Sequence, residues 1–426
     1  MPSAPQPVPP QTEKPVITNQ TAYVVAWFLC LVFYWLQYST RSAPSVMVSE
    51  LVSSFGLTTV GLGSLLGLYY YTYSLCSIIS GAAVDRWGAK YTISFGALVL
   101  AAGTCLFGWG NEWMASLGRL MQGAGSAFAF VGAVYLAARG FSKQHLATAV
   151  GVTQCAGMMG GAMGQSTVAW LIHGVINWHF FWIDTGVLIA LIAVFIFFLT
   201  PQEHKLSLNH RPSGSMFAPY RSVLSNPQSY LCGLCSGLLF LPTTVGSMTW
   251  GITFLTQSWH IGYHEAVLRA AMVPVGWMVG CPALGYLTDR IGRRKPVLLG
   301  GIVVMALTVA AIIYLPGNSF PPYVLAFVLG VASGAAMIPY SIIKEVNADE
   351  VKGSATGAIN FLVFVMSAIV SPLFAAFLQH LGHGQPPGAL QFTQAFSFGL
   401  AGLVLAGILT LFLQETGPKG QAKTKA

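Results

Sequence analysis

The sequence predicts an all-α integral membrane protein in which twelve transmembrane helices form two pseudo-symmetric six-helix bundles. The composition supports this, because 54% of the 426 residues are hydrophobic and only 8% are charged, whereas about a quarter of the residues in soluble domains are charged. Apolar runs long enough to cross a bilayer recur along the chain. One loop motif also occurs twice, about half the chain apart, and such a repeat in a membrane protein indicates two homologous halves.

Twelve apolar runs have the length of about 20 residues that a transmembrane helix needs. Numbered as spans 1 to 12, they cover residues 23–47, 60–82, 92–109, 114–138, 147–172, 180–200, 229–256, 265–287, 296–315, 323–343, 355–379 and 393–414. The more polar segments between and outside the spans define the remaining organisation. We therefore expect a cytoplasmic tail at 1–20, an N-terminal bundle at 21–200, a cytoplasmic linker at 201–228, a C-terminal bundle at 229–414 and a second cytoplasmic tail at 415–426.

The net charge of +8 is explained by membrane topology. Of the 20 lysines and arginines, all but three lie in the tails and in the loops of one side. Because basic loops stay in the cytoplasm, both termini are expected there. The charge therefore does not call for a nucleic-acid partner, and the partner that the composition predicts is the lipid bilayer. The short loops favour a bacterial inner (plasma) membrane.

The repeated motif reads Gly-x-x-x-Asp-Arg-x-Gly-x-Lys/Arg and lies at residues 81–90 and 285–294, between the second and third span of each half. It resembles the cytoplasmic loop motif of the major facilitator superfamily of secondary transporters. The start of span 4, with Arg119 followed by Gln-Gly-x-Gly-x-Ala, is similar to a pattern in the fourth helix of that family. The resemblance implies two bundles that rock about one site and expose it alternately to each side of the membrane.

The resemblance also implies conformational roles. Asp85 and Arg86 in the first loop, and Asp289 and Arg290 in the second, would form a cytoplasmic latch that stabilises the outward-open state. Arg119 would brace the N-terminal bundle or take part in coupling; direct contact with substrate is the alternative for this residue.

Span 1 carries the main candidates for substrate binding. Tyr34, Tyr38 and Arg41 share one helix face, and Gln37 lies one turn before Arg41. A charge inside a span is costly unless it faces a wet cavity or a partner, which favours an anion clamp. An arginine that snorkels to the interface is the alternative. The Tyr38–Arg41 pair resembles the first-helix pair of organic-anion symporters in the superfamily, although Thr40 stands where that pattern has an acid.

Polar and aromatic side chains of other spans are further candidates for the cavity lining. Each has an alternative role in helix packing or as an interface anchor. They are Tyr69 and Tyr73 in span 2, Gln154 in span 5, Trp250 in span 7, Arg269 in span 8, Tyr340 in span 10 and Asn360 in span 11. For Arg269 the alternatives are a local pair with Glu265, four residues earlier on the helix, and a position opposite Arg41 across the cavity.

Acidic residues are scarce inside the spans. Asp184 in span 6 is predicted to be a proton carrier, an ion-pair partner of Arg41 or Arg119, or a surface acid at the helix end. Acids and histidines are the usual proton carriers in membranes, so the sequence leaves the coupling residue open.

The charge inside the spans indicates the substrate class. Three arginines are opposed there only by Asp184 and Glu265, and guanidinium groups bind carboxylates or sulfonates through paired hydrogen bonds. We expect a monomeric secondary transporter that takes up a small organic anion together with protons. The alternatives are an exporter of drugs or siderophores, a carrier of zwitterions such as amino acids or short peptides, and a sensor that binds without transport.

The sequence contains no pattern for chemistry at a catalytic centre. It has no His-Glu-x-x-His, no Gly-x-Ser-x-Gly and no phosphate-binding Gly-x-x-x-x-Gly-Lys-Ser/Thr loop. We therefore expect no enzyme activity, no catalytic residue, no cofactor and no metal site. Energy for transport would come from an ion or substrate gradient.

Overall fold

The computed structural model describes residues 20–141, 143–202, 218–317, 319–321, 323–348, 351–382 and 387–417. At 59, 60, 85, 143–148, 352 and 353 only the backbone is described. Most of the predicted tails and linker, at 1–19, 203–217 and 418–426, lies outside the described residues, as does the side chain of Asp85. The boundaries predicted for these segments stay predictions.

The described chain is helical throughout and contains no β-strand. In the N-terminal half, spans 1 to 6 are the helices Gln20–Ser42, Thr59–Trp87, Ala89–Gly108, Glu112–Gly140, Lys143–Gly174 and Trp178–Leu199. In the C-terminal half, the unbroken spans 8, 9, 11 and 12 are Tyr263–Ile291, Lys295–Tyr314, Lys352–Leu381 and Ala389–Phe412. Two short helices, Val48–Phe55 and Ala218–Leu224, follow span 1 and precede span 7.

Three spans contain a break in the regular α-helix. Span 1 tightens into a 3₁₀ turn at Ala43–Val46, where Pro44 lacks a backbone donor. Span 7 runs as α-helix over Pro227–Leu241, widens into a π-helix at Pro242–Trp250 and returns to α-helix at Gly251–Ser258. Span 10 comprises Val324–Ser333, a 3₁₀ turn at Gly334–Met337 and Ile338–Glu345. Such irregular turns inside helices often mark functional segments.

Ten helices of the described chain are long and apolar enough to cross a membrane. The other two predicted spans, 2 and 5, form helices of 29 and 32 residues. Their sequences are rich in glycine, serine, tyrosine and glutamine, which lowers their hydropathy. Both helices pack against the opposite half of the molecule, so their polar side chains are largely shielded from lipid.

The two halves meet along two helix pairs, span 2 with span 11 and span 5 with span 8. Small residues allow the first pair to approach closely, since a side chain at Gly63 would overlap Ala375. Hydrogen bonds also join the halves. Gln165 Nε2 donates to the carbonyl oxygen of Ser247 over 2.9 Å on the outer side, meaning the side opposite the termini. These contacts join the two halves on the outer side of the molecule.

Candidate functional site

Arg41 occupies the centre of the interface between the two bundles. It lies in the last turn of the span 1 helix, and only 3% of its surface is exposed. Helical side chains point toward the N-terminus of their helix, so the guanidinium reaches the middle of spans 2 and 11. Five aromatic rings surround its Cζ atom, with centroids at 4.5 Å (Tyr38), 4.7 Å (Tyr73), 4.9 Å (Phe364), 5.1 Å (Tyr69) and 5.8 Å (Tyr70).

The hydrogen bonds of this arginine are incomplete. Arg41 Nε donates to the Tyr69 hydroxyl over 3.3 Å, and Gln37 Nε2 makes a short hydrogen bond to the same oxygen. Arg41 Nη2 and Gln37 Oε1 are buried and have no hydrogen-bond partner in the described protein. No carboxylate of the described residues lies within ion-pair distance of Arg41. The rings stabilise the cation, but one donor and one acceptor are left for a ligand.

Arg119 also contacts the ring of Tyr69. Its Cζ is 4.9 Å from the centroid of that ring. Nη1 donates to Gln122 Oε1 at 2.7 Å and to the carbonyl oxygen of Thr40 at 3.4 Å, and Nη2 donates to the carbonyl oxygen of Leu66 at 3.5 Å. Arg119 therefore braces spans 1, 2 and 4 around the site, and two buried guanidinium groups share one tyrosine.

Polar pairs flank this centre on both sides. Tyr34 packs edge-on against Tyr38, at 5.1 Å between centroids, and its hydroxyl donates to Gln154 Oε1 over 3.4 Å. In the other bundle, the Tyr340 hydroxyl donates to Asn360 Oδ1 over 2.8 Å. Asn360 Nδ2 in turn donates to Ser77 Oγ of span 2 over 3.2 Å. The structure thus brings Tyr34, Gln37, Tyr38, Arg41, Tyr69, Tyr73 and Arg119 together, with Gln154, Tyr340 and Asn360 at the edges.

Three residues predicted for the site lie elsewhere. Arg269 does not face Arg41, because Glu265 is one turn away on the same helix and accepts from both Nε and Nη2. Asp184 is exposed on span 6 and contacts neither Arg41 nor Arg119. Trp250 is buried in the outer part of span 7, where its nearest ring is Phe374 at 6.2 Å.

Sequence reasoning missed Phe364, Tyr70 and Ser77. Phe364 lies four residues after Asn360 and therefore shares its helix face, so the polar residue already predicted in span 11 could have indicated it. Tyr70 belongs to the tyrosine run of span 2, from which only Tyr69 and Tyr73 were singled out. Ser77 continues the face of Tyr73 one turn further on. Helical periodicity alone would have identified Tyr70 and Ser77.

The loop motif of the C-terminal half forms a network within that half. Arg294 Nη1 donates to Asp289 Oδ1 over 2.8 Å, and Nη2 donates to Glu345 Oε1 over 2.9 Å. The arginine that pairs with Asp289 is therefore Arg294; Arg290 is exposed. In the N-terminal copy Arg86 is exposed, and its aspartate lies outside the described side chains. The latch function predicted for these residues stays a prediction.

The chain after span 12 returns to the same network. Glu415 accepts from the backbone N–H of Arg294 at 2.7 Å and of Lys295 at 3.2 Å. The carboxylate thus caps the first turn of span 9, where negative charge is favourable. Thr416 Oγ1 donates to Glu345 Oε2. This segment ties the end of span 12 to the beginning of span 9 and the end of span 10.

Curated proteins of bacteria resemble the chain at low identity. A D-xylose transporter of Levilactobacillus brevis is 27% identical over 190 residues, which is 41% of this chain and 38% of that protein. The proline/betaine transporter of Escherichia coli K12 is 27% identical over 151 residues, 34% of this chain and 29% of that protein. The chain therefore aligns with well under half the length of these two. The membrane sensor protein UhpC of Salmonella typhimurium LT2 is 23% identical over 371 residues, 79% of this chain and 81% of that protein.

Solved structures share the fold along almost the whole chain. A bacterial homologue of the human lysosomal transporter Spinster superposes with a TM-score of 0.71 at 16% identity and covers 92% of this chain and 97% of its own. The nucleoside transporter NupG gives a TM-score of 0.70 at 14% identity, with 91% and 99% covered. At such identities the likeness concerns the fold alone.

A family model completes the comparison. It matches residues 28–371, and a second match covers 233–426. Together with the two helical bundles and the relatives named as transporters, none of them an enzyme, this establishes the family predicted from the loop motif. The chain belongs to the Major Facilitator Superfamily of integral membrane transporters.

Proposed function

We propose that this protein moves a small organic anion, a carboxylate or a sulfonate, across the membrane by alternating access to the site around Arg41. The observation that carries the proposal is the buried guanidinium of Arg41, whose Nη2 lacks a partner and which no carboxylate of the described chain neutralises. A buried, uncompensated charge is costly. An anion bound there would supply both the missing acceptor and the missing charge.

The surroundings favour a small substrate that also carries a donor. Tyr38, Tyr69, Tyr73 and Phe364 close around the guanidinium, so little room remains for a bulky group. Gln37 Oε1 is buried without a donor and would accept a hydroxyl hydrogen. A short hydroxycarboxylate supplies both groups. Arg119, whose Cζ lies 4.9 Å from the centroid of the Tyr69 ring, adds positive potential. Its two Nη atoms already donate to protein oxygens, and its buried Nε has no partner among the described residues.

We further propose that uptake is coupled to protons. An anion entering a cell against an inside-negative potential costs about 2.3 kcal/mol per charge for each 100 mV, and one co-transported proton removes that cost. Asp184 is exposed and Glu265 is paired with Arg269, so neither acid reaches Arg41. We assign the proton to no side chain of the described residues.

Three alternative functions each have an observation in their favour. A zwitterion carrier has relatives named as proline/betaine transporters, but its substrate amine would need an acid beside Arg41, and the described site has none. A sensor is suggested by the relative that covers most of the chain. An exporter shares the fold and differs only in the direction of flux.

The test is thermal unfolding of the purified protein with a panel of hydroxycarboxylates, other carboxylates, sulfonates, amino acids and neutral sugars. A ligand that binds only the folded state adds about 2.7 kcal/mol of stability at 100 times Kd. We expect anions to stabilise the wild type and Arg269→Ala, and to have no effect on Arg41→Ala. Equal stabilisation of Arg41→Ala, or stabilisation by sugars alone, would refute the anion site.

Transport is tested separately with the best ligand of the panel. Labelled ligand is offered to proteoliposomes with an acidic exterior, and then without a pH gradient. Accumulation that depends on the gradient supports proton-coupled uptake, and accumulation without that dependence removes the proton from the proposal. Binding without flux identifies a sensor.

A further inference from the structure

An apolar cavity of about 470 Å³ lies within the outer half of the C-terminal bundle. Aromatic walls come from Phe254 on span 7, Phe374 and Phe377 on span 11, and Phe396 on span 12. Among the lining residues that the structure describes, Arg269 is the only one with a charged side chain. Buried water needs two or more polar partners, so these walls favour an apolar occupant.

Aromatic side chains pack against one another in the outer part of the N-terminal bundle. There Phe107 packs edge-on against Trp182 at 4.6 Å, and Phe55 packs edge-on against Trp178 at 5.7 Å. These four side chains, two of them at the start of span 6, belong to one buried cluster. In the C-terminal half, aromatic side chains instead line a cavity.

The cavity reaches the side of the bundle between spans 11 and 12, and its mouth there is bordered by Phe377 and Phe398, whose rings pack edge-on at 4.8 Å between centroids. Leu373 and Phe398 line it and are 61% and 66% exposed, so they also form part of the outer surface of the bundle. Gly399 lines the cavity beside Phe398, and a side chain added there would meet open space. Because the exposed face of a transmembrane helix meets hydrocarbon, the medium at this mouth is lipid acyl chains.

The polar end of the cavity is Arg269. Its Nε and Nη2 donate to Glu265, its Nη1 donates to the carbonyl oxygen of Gly317 at 3.3 Å, and its Cζ lies 5.7 Å from the Trp259 ring. A second cavity, lined by the same Arg269, Trp259 and Gly317, continues from this point along the loop that follows span 9. Further guanidinium N–H groups remain for an anion.

We propose that an acyl chain of a membrane phospholipid enters this cavity between spans 11 and 12, with the lipid phosphate beside Arg269. The apolar lining matches an acyl chain, and the mouth of the cavity faces the membrane layer that holds such chains. Arg269, the one cation among the described lining residues, lies at the outer end of the cavity, where lipid headgroups lie. Glu265, with 41% of its side chain exposed, remains available to the cationic group of a zwitterionic headgroup.

The bound acyl chain would support the π-helical part of span 7. Pro242, Val245 and Gly246 of the π-helix line the cavity, while the carbonyl oxygen of the next residue, Ser247, accepts from Gln165 of the opposite bundle. The π-helix thus separates the lipid from the interface between the halves. This site is distinct from Arg41, and the proposal does not depend on the identity of the transported substrate.

The experiment uses the full chain in phosphatidylcholine nanodiscs that contain a fraction of phosphatidylcholine with a photoactivatable diazirine on one chain. After irradiation, the labelled residues are located by peptide mass spectrometry. We expect the label to concentrate on cavity residues such as Phe374 and Phe396 above the level at lipid-facing residues outside the cavity. A uniform distribution over the lipid-facing surface would overturn the proposal.

A matched pair of variants tests the mouth. Gly399→Phe places a ring in the opening, whereas Gly300→Phe adds the same ring to another exposed glycine with open space around it, on span 9 and away from the cavity. We expect cavity labelling to fall about tenfold in Gly399→Phe, because several methylene groups of the acyl chain lose their burial in the cavity. Labelling should be unchanged in Gly300→Phe. Equal labelling in both would contradict the proposal. If Gly399→Phe fails to fold, Leu373→Trp narrows the same mouth from span 11.

Two further arms separate a phospholipid from other occupants. In dodecyl maltoside micelles that hold the labelled phosphatidylcholine as a trace, added unlabelled phosphatidylcholine should compete with the label, and the same amount of additional dodecyl maltoside should not; equal competition would show a site for any hydrophobic molecule and refute the proposal. The double variant Glu265→Gln/Arg269→Gln removes both charges, and cavity labelling should fall about fivefold, the usual loss when one hydrogen-bond partner of a group is removed. Unchanged labelling would exclude the phosphate contact.

Discussion

In the N-terminal bundle, Arg41 and Arg119 are 3% and 1% exposed and have no carboxylate partner among the described residues. In the C-terminal bundle, Arg269 is paired with Glu265, and Arg294 with Asp289 and Glu345. One half therefore holds uncompensated cations at the centre of the molecule, and the other holds neutralised ion pairs near its two ends. The comparison teaches that a repeated fold and a repeated loop motif do not require a repeated binding site.

Individual glycines differ in how tightly they are packed, and a pair with one member in each half should show the largest effect. A side chain at Gly123 would overlap the carbonyl oxygen of Tyr69 and the side chain of Thr72, whereas one at Gly399 would meet nothing within 4 Å. We expect Gly123→Ala to lower the free energy of unfolding by about 1–3 kcal/mol or more, the usual cost of overpacking. Gly399→Ala is the control and should unfold like the wild type. Equal thermal unfolding of the two variants would show that the site has no such packing constraint.

The next largest effect, on ligand affinity, concerns the hydroxyl group of Tyr69, whose ring both arginines of the site contact. Tyr69→Phe keeps the ring between Arg41 and Arg119 but removes the acceptor used by Arg41 Nε and Gln37 Nε2. Leaving buried donors unpaired costs about 1–3 kcal/mol, so ligand affinity should change by roughly tenfold to a hundredfold. Tyr71→Phe, on the exposed face of the same helix, should bind like the wild type. Calorimetric titration with an anion that stabilises the protein gives both affinities, and equal values would remove Tyr69 from the site.

A smaller effect is expected where the two halves are joined. Asn360→Ala removes the hydrogen bonds from Tyr340 and to Ser77, and each such bond contributes about 0.5–1.5 kcal/mol. A double-mutant cycle of Asn360→Ala with Ser77→Ala isolates the contact between the halves. The coupling energy should be near the lower end of that range, measured by unfolding in denaturant. A coupling of zero would show that the contact adds no stability.

The smallest effect is expected at the network around the loop motif of the C-terminal half. Asp289 has 70% of its side chain exposed, and solvent-exposed ion pairs contribute about 0.2–1 kcal/mol. Asp289→Asn should therefore lower stability only slightly, and less at high salt. Asp289→Asn and Arg290→Ala should then differ in the rate of transport, because Asp289 contacts Arg294 whereas Arg290 does not. Identical rates in the two variants and the wild type would remove the latch from the mechanism.

The helices and the family could be predicted because hydrophobic length and a repeated loop motif are local features. The face shared by Tyr34, Tyr38 and Arg41 was also local, since helical periodicity fixes it. The partner of a charge could not be predicted in the same way. Arg269 has an acid one turn away and uses it, whereas the surroundings of Arg41 come from spans 2 and 11 and depend on how the bundles meet. Phe364, more than three hundred residues from Arg41 in the chain, contacts it only through that packing.

The π-helix of span 7 determines how this segment responds to the loss of one residue from the sequence. A π turn contains about one residue more than an α turn, because its hydrogen bonds join residues five rather than four apart. Loss of one residue between Pro242 and Trp250 would let the same flanking turns join through regular α-helical hydrogen bonds, so the segment would become α-helix with little rotation of what lies beyond it. Phe254 would then keep its contacts with Phe392 and Phe396. A three-nucleotide deletion in this part of the gene should therefore be tolerated better than one in the regular helix of span 9, where loss of one residue rotates everything beyond it by about 100° around the helix axis.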